Sequence, residues 1–169
     1  MSESKELERP EACQKIWCVG FRRAGSAQMT SVHDIAQHWD RGDVYGAIVT
    51  ALARMSKPLD RLTLEDLAPV DHFHARGLPA TIDLADSLSI AAGQRILDIG
   101  CGLGGPARYI ARRFQCAVSG IDITASFVDT ANKLTALLHM DNEVDIRRGD
   151  ALDLPYGDLT FSMALTRST

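Results

Sequence analysis

An α/β fold built on a parallel sheet, with helices ahead of it, is what this 169-residue sequence predicts. Three observations carry that reading. Residues 100–105, GCGLGG, place four glycines in six positions between an apolar run and a helix-like pattern. The unit of apolar run, turn and amphipathic stretch then recurs, which is how parallel strands joined by right-handed crossovers read in sequence. A last run near the C-terminus alternates apolar and polar residues, the period of a strand.

Composition narrows the function classes. With 46% hydrophobic and 24% charged residues the chain suits one globular domain, not a fibrous or disordered one. The formal net charge is -4 and no Lys/Arg run is long enough to track phosphates, so a nucleic-acid partner finds no electrostatic support. A small molecule is the expected partner. Cys13, Cys18, Cys101 and Cys116 form no CxxC pair and no metal-ligand spacing, which fits reduced thiols. The early apolar run IWCVGF is too short for a signal sequence or a membrane span. The expectation is a cytoplasmic protein with no metal and no membrane partner.

The elements follow in order. Residues 1–28 mix charges, Pro10 and a short apolar patch without a sustained period and are expected to form a loose tail. Residues 29–78 read as a helical cap region. Ser31 is a candidate N-cap before Val32, Ile35, Ala36 and Trp39, and that helix should stop near Gly42. Val44, Ile48, Leu52 and Met55 share the face of a second helix, with Asp43 before it and Pro58 beyond it. At most a turn or two of helix is expected around Leu64 to Leu67. His72 and His74, two residues apart, share a direction only on an extended strand and have no third ligand nearby in sequence, so they read as ordinary loop histidines, one of which is a candidate to line a binding pocket.

Residues 79–169 should form the sheet domain, opened by a helix over 79–90 that carries Ala80, Leu84 and Leu88 on one side. Ile96, Leu97 and Ile99 fit a strand buried on both faces. Pro106 suits a first helical turn, and Ala107, Ile110, Ala111 and Phe114 repeat at helical spacing. CAVSGID reads as the next strand. Thr124 then caps a helix with Phe127, Ala131, Leu134 and Leu138 on one face. EVDIRRGD supplies a third strand, and Leu159, Phe161, Met163 and Leu165 alternate as a fourth.

Open parallel sheets bind ligands at the carboxyl ends of their strands, where glycines let backbone approach the bound molecule closely. The helix start after Gly104 favours an anionic group through its unpaired N–H groups and dipole. Two cofactors compete at this point. Gly100, Gly102 and Gly105 satisfy the G-x-G-x-x-G spacing of dinucleotide sites, with Asp122 at the distance expected of a ribose-binding acid. The same stretch also reads D-x-G-x-G-x-G from Asp98, and Asp150 closes the third strand. Three carboxylates at successive strand ends suit a cationic amine, a ribose diol and an adenine amino group better than a pyrophosphate. Asp98 also reads as a loop residue accepting backbone N–H bonds, and Asp150 as an Asx-turn.

LDIGCGLGG, GID and GDALDLPYGDLTF resemble the motifs of class I S-adenosyl-L-methionine-dependent methyltransferases, whose Rossmann-like sheet this chain would share. From about residue 39 onward the chain is similar to the small-molecule group with sarcosine and dimethylglycine N-methyltransferases and ubiquinone/menaquinone C-methyltransferases, and LTLEDLAPVDHFHARG is similar to a linker of the glycine-methylating members. The resemblance implies that Gly100, Gly102 and Gly104 shape the loop around the methionine part of S-adenosyl-L-methionine, with Asp98 supporting its ammonium. It implies that Asp122 holds the ribose hydroxyls, Ile123 packs on adenine, and Asp150 with the Ala151 backbone contacts the adenine amino group. Trp39 would stand near the cofactor, and the acceptor would be an amine such as a glycine derivative or a quinol-type carbon.

The resembling enzymes continue past the fourth strand, and where they usually carry Asp after the Phe this chain has Ser162. The expectation is therefore a truncated sheet of about four strands, with strand four an unprotected edge open to self-association. A nicotinamide-dependent oxidoreductase fragment and a non-catalytic cofactor-binding relic are the competing readings.

Overall fold

The structure, a computed structural model, describes residues 16–19, 42–72 and 77–167. The helix expected over 31–42 lies outside these residues but for Gly42, as do Trp39 and His74. The described elements are β1 (Ile16–Val19), α1 (Val44–Arg54), a 3-10 turn (Leu59–Arg61), α2 (Leu64–Asp71), α3 (Gly77–Ser87), β2 (Arg95–Ile99), α4 (Gly105–Phe114), β3 (Ala117–Asp122), α5 (Ala125–Leu137), β4 (Val144–Arg148) and β5 (Met163–Arg167). Among the described residues the sheet has five strands, in the order β1-β5-β2-β3-β4. Every pairing is parallel.

Asp43 caps α1 by accepting from the Gly46 N–H at 2.8 Å. Ile48 and Leu52 are its buried residues, as the spacing predicts, whereas Met55 lies past the last turn and is 49% exposed. α2 opens with a capping box, in which the Thr63 hydroxyl and the Asp66 carboxylate each accept the other's backbone N–H. It runs on to Asp71 despite Pro69, further than Leu64 to Leu67 suggest. Pro69 removes one donor, but Leu67 and Asp71 are buried at its far end, so packing holds the second turn. α3 starts and stops a little earlier than its pattern implies, over 77–87 in place of 79–90.

Two strand expectations are corrected. Within the tail expected over 1–28, Ile16–Val19 form a strand that pairs with β5 from Ile16 opposite Ala164 to Val19 opposite Arg167. β5 is thus not an edge, and among the described residues the outer strands are β1 and β4. A four-residue strand is too short to show a period, and its partner is far away in sequence. The last strand begins at Met163, not Leu159: Leu159 has φ 61° and is 68% exposed, a conformation that no strand contains.

The pleat divides the strand residues between two faces. Ile96, Val118, Val144, Ile146 and Leu165 join Ala107, Ile110, Ala131 and Leu134 in one cluster beneath the helices. Each fully buried Leu or Ile contributes about 1.5–3 kcal/mol by leaving water. On the other face stand Leu97 and Ile121, 3% and 1% exposed. The segment 149–162, which carries the chain from β4 back to β5, crosses that face without a helix. Gly149 abuts Ile121, Tyr156 meets Phe161 edge to face at 4.8 Å, and the Arg95 guanidinium lies 5.4 Å from the Phe161 ring centre.

Candidate functional site

The glycine loop leaves β2 at the carboxyl end of the sheet, and its backbone is tied to β3 on the way out. Gly100 and Cys101 both donate to the Ile121 carbonyl, at 2.8 and 3.0 Å. The Gly102 N–H donates to Asp122 Oδ2 at 2.8 Å, and the Gly104 N–H returns to the Cys101 carbonyl at 2.9 Å. The loop is folded around the Asp122 carboxylate.

The glycines serve different physical needs. Gly100, Gly102 and Gly104 all adopt left-handed φ, at 70°, 55° and 76°. A Cβ on Gly100 or Gly102 would meet nothing within 4 Å, so open space lies where a ligand could approach the backbone. At Gly104 it would stand 2.4 Å from Ile146 Cδ1, and at Gly105 it would stand 2.6 Å from the Asp71 carbonyl oxygen. Those two glycines answer to the protein's own packing. Gly104 caps α4 without any side-chain acceptor.

The structure brings the three acids to one end of the sheet, at two depths. Asp98 pairs in register with Gly120, two residues short of Asp122, and is fully buried on the helix face. Asp122, at the end of β3, accepts from Gly102 through Oδ2 and from the Thr124 N–H through Oδ1 at 2.9 Å. Each oxygen keeps a second lone pair. Asp150 lies two residues past the end of β4, where its Oδ1 accepts from the Leu152 N–H at 2.9 Å, the Asx-turn that its sequence setting allows. Its Oδ2 is left for other partners in this turn. Ile123 is half-buried after β3, with its carbonyl accepting from Arg148 Nε at 3.3 Å, and Ala151 is exposed.

Sequence reasoning missed the group beneath the loop. Arg108, in the first turns of α4, is fully buried. Its Nη2 donates to the Leu103 carbonyl at 2.7 Å and to Asp71 Oδ2 at 2.8 Å; its Nη1 donates to the Ala131 carbonyl at 3.2 Å and to Thr135 Oγ1 at 3.0 Å. Burial pushes the Asp71 carboxyl up from its ordinary range, against the pull of the Arg108 charge. His72 stands beside the pair, with Nε2 3.5 Å from Asp71 Oδ1 and Nδ1 3.0 Å from Thr81 Oγ1, so it is built into the cap packing. The available signal was an arginine flanking the apolar face of α4, with no partner at helical spacing to occupy it.

The fold and its loop have known counterparts. A methyltransferase-domain family matches residues 96–169. The 27-O-demethylrifamycin SV methyltransferase of Amycolatopsis mediterranei is 40% identical over 80 residues, which is 47% of this chain and 29% of that protein. Phosphoethanolamine N-methyltransferase 3 of Arabidopsis thaliana is 33% identical over 93 residues, 55% of this chain and 19% of that protein. Among solved structures, the geranyl diphosphate C-methyltransferase of Streptomyces coelicolor A3(2) superposes with a TM-score of 0.60 at 22% identity, covering 84% of this chain and 56% of that one. The chain spans between 18% and 34% of the length of the curated relatives it matches. The match of residues 96–169 to a methyltransferase-domain family agrees with the class I group that the motifs resemble.

Proposed function

We propose that this chain is the S-adenosyl-L-methionine-binding part of a methyltransferase that acts on a small molecule in the cytoplasm. The observation that carries the proposal is the Gly102–Asp122 bond at 2.8 Å: it unites the positive-φ loop and the acid of the next strand in one cradle, with open space above Gly100 and Gly102. Among the described residues no helix is long and apolar enough to cross a membrane.

The residues present fit that cofactor. The unused lone pairs of Asp122 would accept the ribose hydroxyls, Ile123 would pack on adenine, and Asp150 with the Ala151 backbone would meet the adenine amino group. The backbone at Gly100, Gly102 and Gly104 would receive the methionine part. Asp98, buried one step below the loop, would favour the cationic end through its charge rather than by exposure. The cofactor would supply a methyl group activated on a sulfonium. The protein's share is to align donor and acceptor for an in-line displacement and keep water away. An amine acceptor would have to be held unprotonated to accept the methyl group. The matched proteins bear the names of a rifamycin, phosphoethanolamine and geranyl diphosphate, so the acceptor, an amine such as a glycine derivative or a quinol-type carbon, is the open part of the proposal.

Calorimetric titration of the chain with S-adenosylhomocysteine and with NAD is the test. S-adenosylhomocysteine should bind and NAD should not. In Asp122→Asn the affinity should fall by about tenfold or more, the equivalent of one charge-assisted hydrogen bond. NAD binding alone would replace this reading by an oxidoreductase fragment. Binding of S-adenosylhomocysteine without transfer to any amine or quinol would leave a cofactor-binding relic.

A further inference from the structure

We infer that the buried Asp71–Arg108 pair is a positioning device for the glycine loop, through which the helical cap sets the loop's shape before any ligand arrives. The Leu103–Gly104 peptide is gripped at both ends: its carbonyl accepts from Arg108 Nη2 at 2.7 Å, and its N–H donates to the Cys101 carbonyl at 2.9 Å. One plane of the loop therefore has no freedom to turn. Arg108 in turn has its direction set by Asp71, Ala131 and Thr135, which belong to two other helices. Asp71 also sits against Gly105, where even a methyl group would collide with its backbone oxygen.

An ion pair with side-chain exposures of 0% and 1% is an expensive way to hold helices together. Apolar residues of similar volume often do so at least as well, because two charges must be stripped of water. What apolar residues cannot supply is a donor aimed at the Leu103 carbonyl while α2 and α5 are held in place. The loop's conformation is the property that the charges specify.

This role rests on the methyltransferase reading only where a ligand is concerned, so one arm of the test omits the ligand. The full chain is compared with the double variant Asp71→Leu/Arg108→Met and with Arg108→Lys, by thermal unfolding, by amide hydrogen exchange at Gly102 and Gly104, and by titration with S-adenosylhomocysteine. The double variant should unfold within a few degrees of the parent. Its Gly104 amide should exchange about tenfold faster or more, and S-adenosylhomocysteine should bind about tenfold more weakly, since one hydrogen bond to a charged group is lost. Arg108→Lys keeps the charge but not the fork that reaches four acceptors, and should show the same faster exchange. Should the double variant not fold, Arg108→Lys decides. Parental exchange at Gly104 in a folded variant overturns the proposal, as does an affinity that recovers together with stability. If the parent chain fails to bind S-adenosylhomocysteine, the functional reading falls and the exchange arm still judges the pair.

Discussion

Two segments leave the sheet at its carboxyl end, one after β2 and one after β4 with β3 between them, and they are held in different ways. The loop after β2 is bound to β3 by Ile121 and Asp122, to its own helix by Arg108, and through Arg108 to the cap. The segment after β4 joins the sheet at its two ends, where the Gly149 N–H donates to the Asp122 carbonyl at 3.0 Å and the Ser162 N–H to the Arg95 carbonyl at 2.8 Å. Between them it is tied to itself by the Asp150 turn, an isolated bridge to Asp153, and the Thr160 hydroxyl donating to the Gly157 carbonyl at 2.6 Å. Leu152 is 91% exposed on it, while Leu103 in the glycine loop is 2% exposed. Position at the sheet end does not by itself make a rigid loop. Rigidity comes from groups that arrive from elsewhere in the chain.

The largest way to break this difference is to remove the anchor. Arg108→Met alone should destabilise the protein by about 3–5 kcal/mol, because it leaves the Asp71 carboxylate buried without its partner. Urea unfolding measures this, and a loss below about 1 kcal/mol would mean that the pair behaves like a surface ion pair.

A smaller effect sharpens the contrast. Gly104 and Leu159 both have left-handed φ, 76° and 61°. Gly104→Ala should cost at least about 2 kcal/mol, combining backbone strain with the collision at Ile146. Leu159→Gly should be neutral or stabilising by up to about 1 kcal/mol, since it relieves the same strain at an exposed position. Equal costs in urea titrations of the two variants would show the segments to be equally constrained.

The smallest effect concerns Tyr156, which docks the later segment on the sheet. Burial pushes its phenol up from the ordinary value of 10.0. The folded protein therefore holds this proton to higher pH than the unfolded chain. The stability from docking is full below the ordinary value and is lost as pH rises through the raised one. Unfolding of the parent and of Tyr156→Phe followed between about pH 9 and 11 should show a steeper loss in the parent. Parallel curves would detach Tyr156 from the docking.

Much of the site was legible because its causes are local. The glycine turn after β2, the start of α1 after Asp43 and the apolar faces of α1, α4 and α5 depend on neighbours a few residues away. The Asp150 turn was also readable, as one of two uses of the same acid. Three features had no local cause. The strand at Ile16–Val19 exists through β5, the path of 149–162 through the far face of the sheet, and the burial of Arg108 through Asp71, 37 residues away.

From sequence alone come the parallel α/β plan, the glycine turn at a strand end and the acid of the following strand, because spacing and backbone preference act within one turn or one strand. Tertiary structure alone decided which glycines face open space and which face the protein's own atoms, how deep each carboxylate lies, and what holds the loop. Those properties are set by distances between segments far apart in the chain, and no spacing along it encodes them.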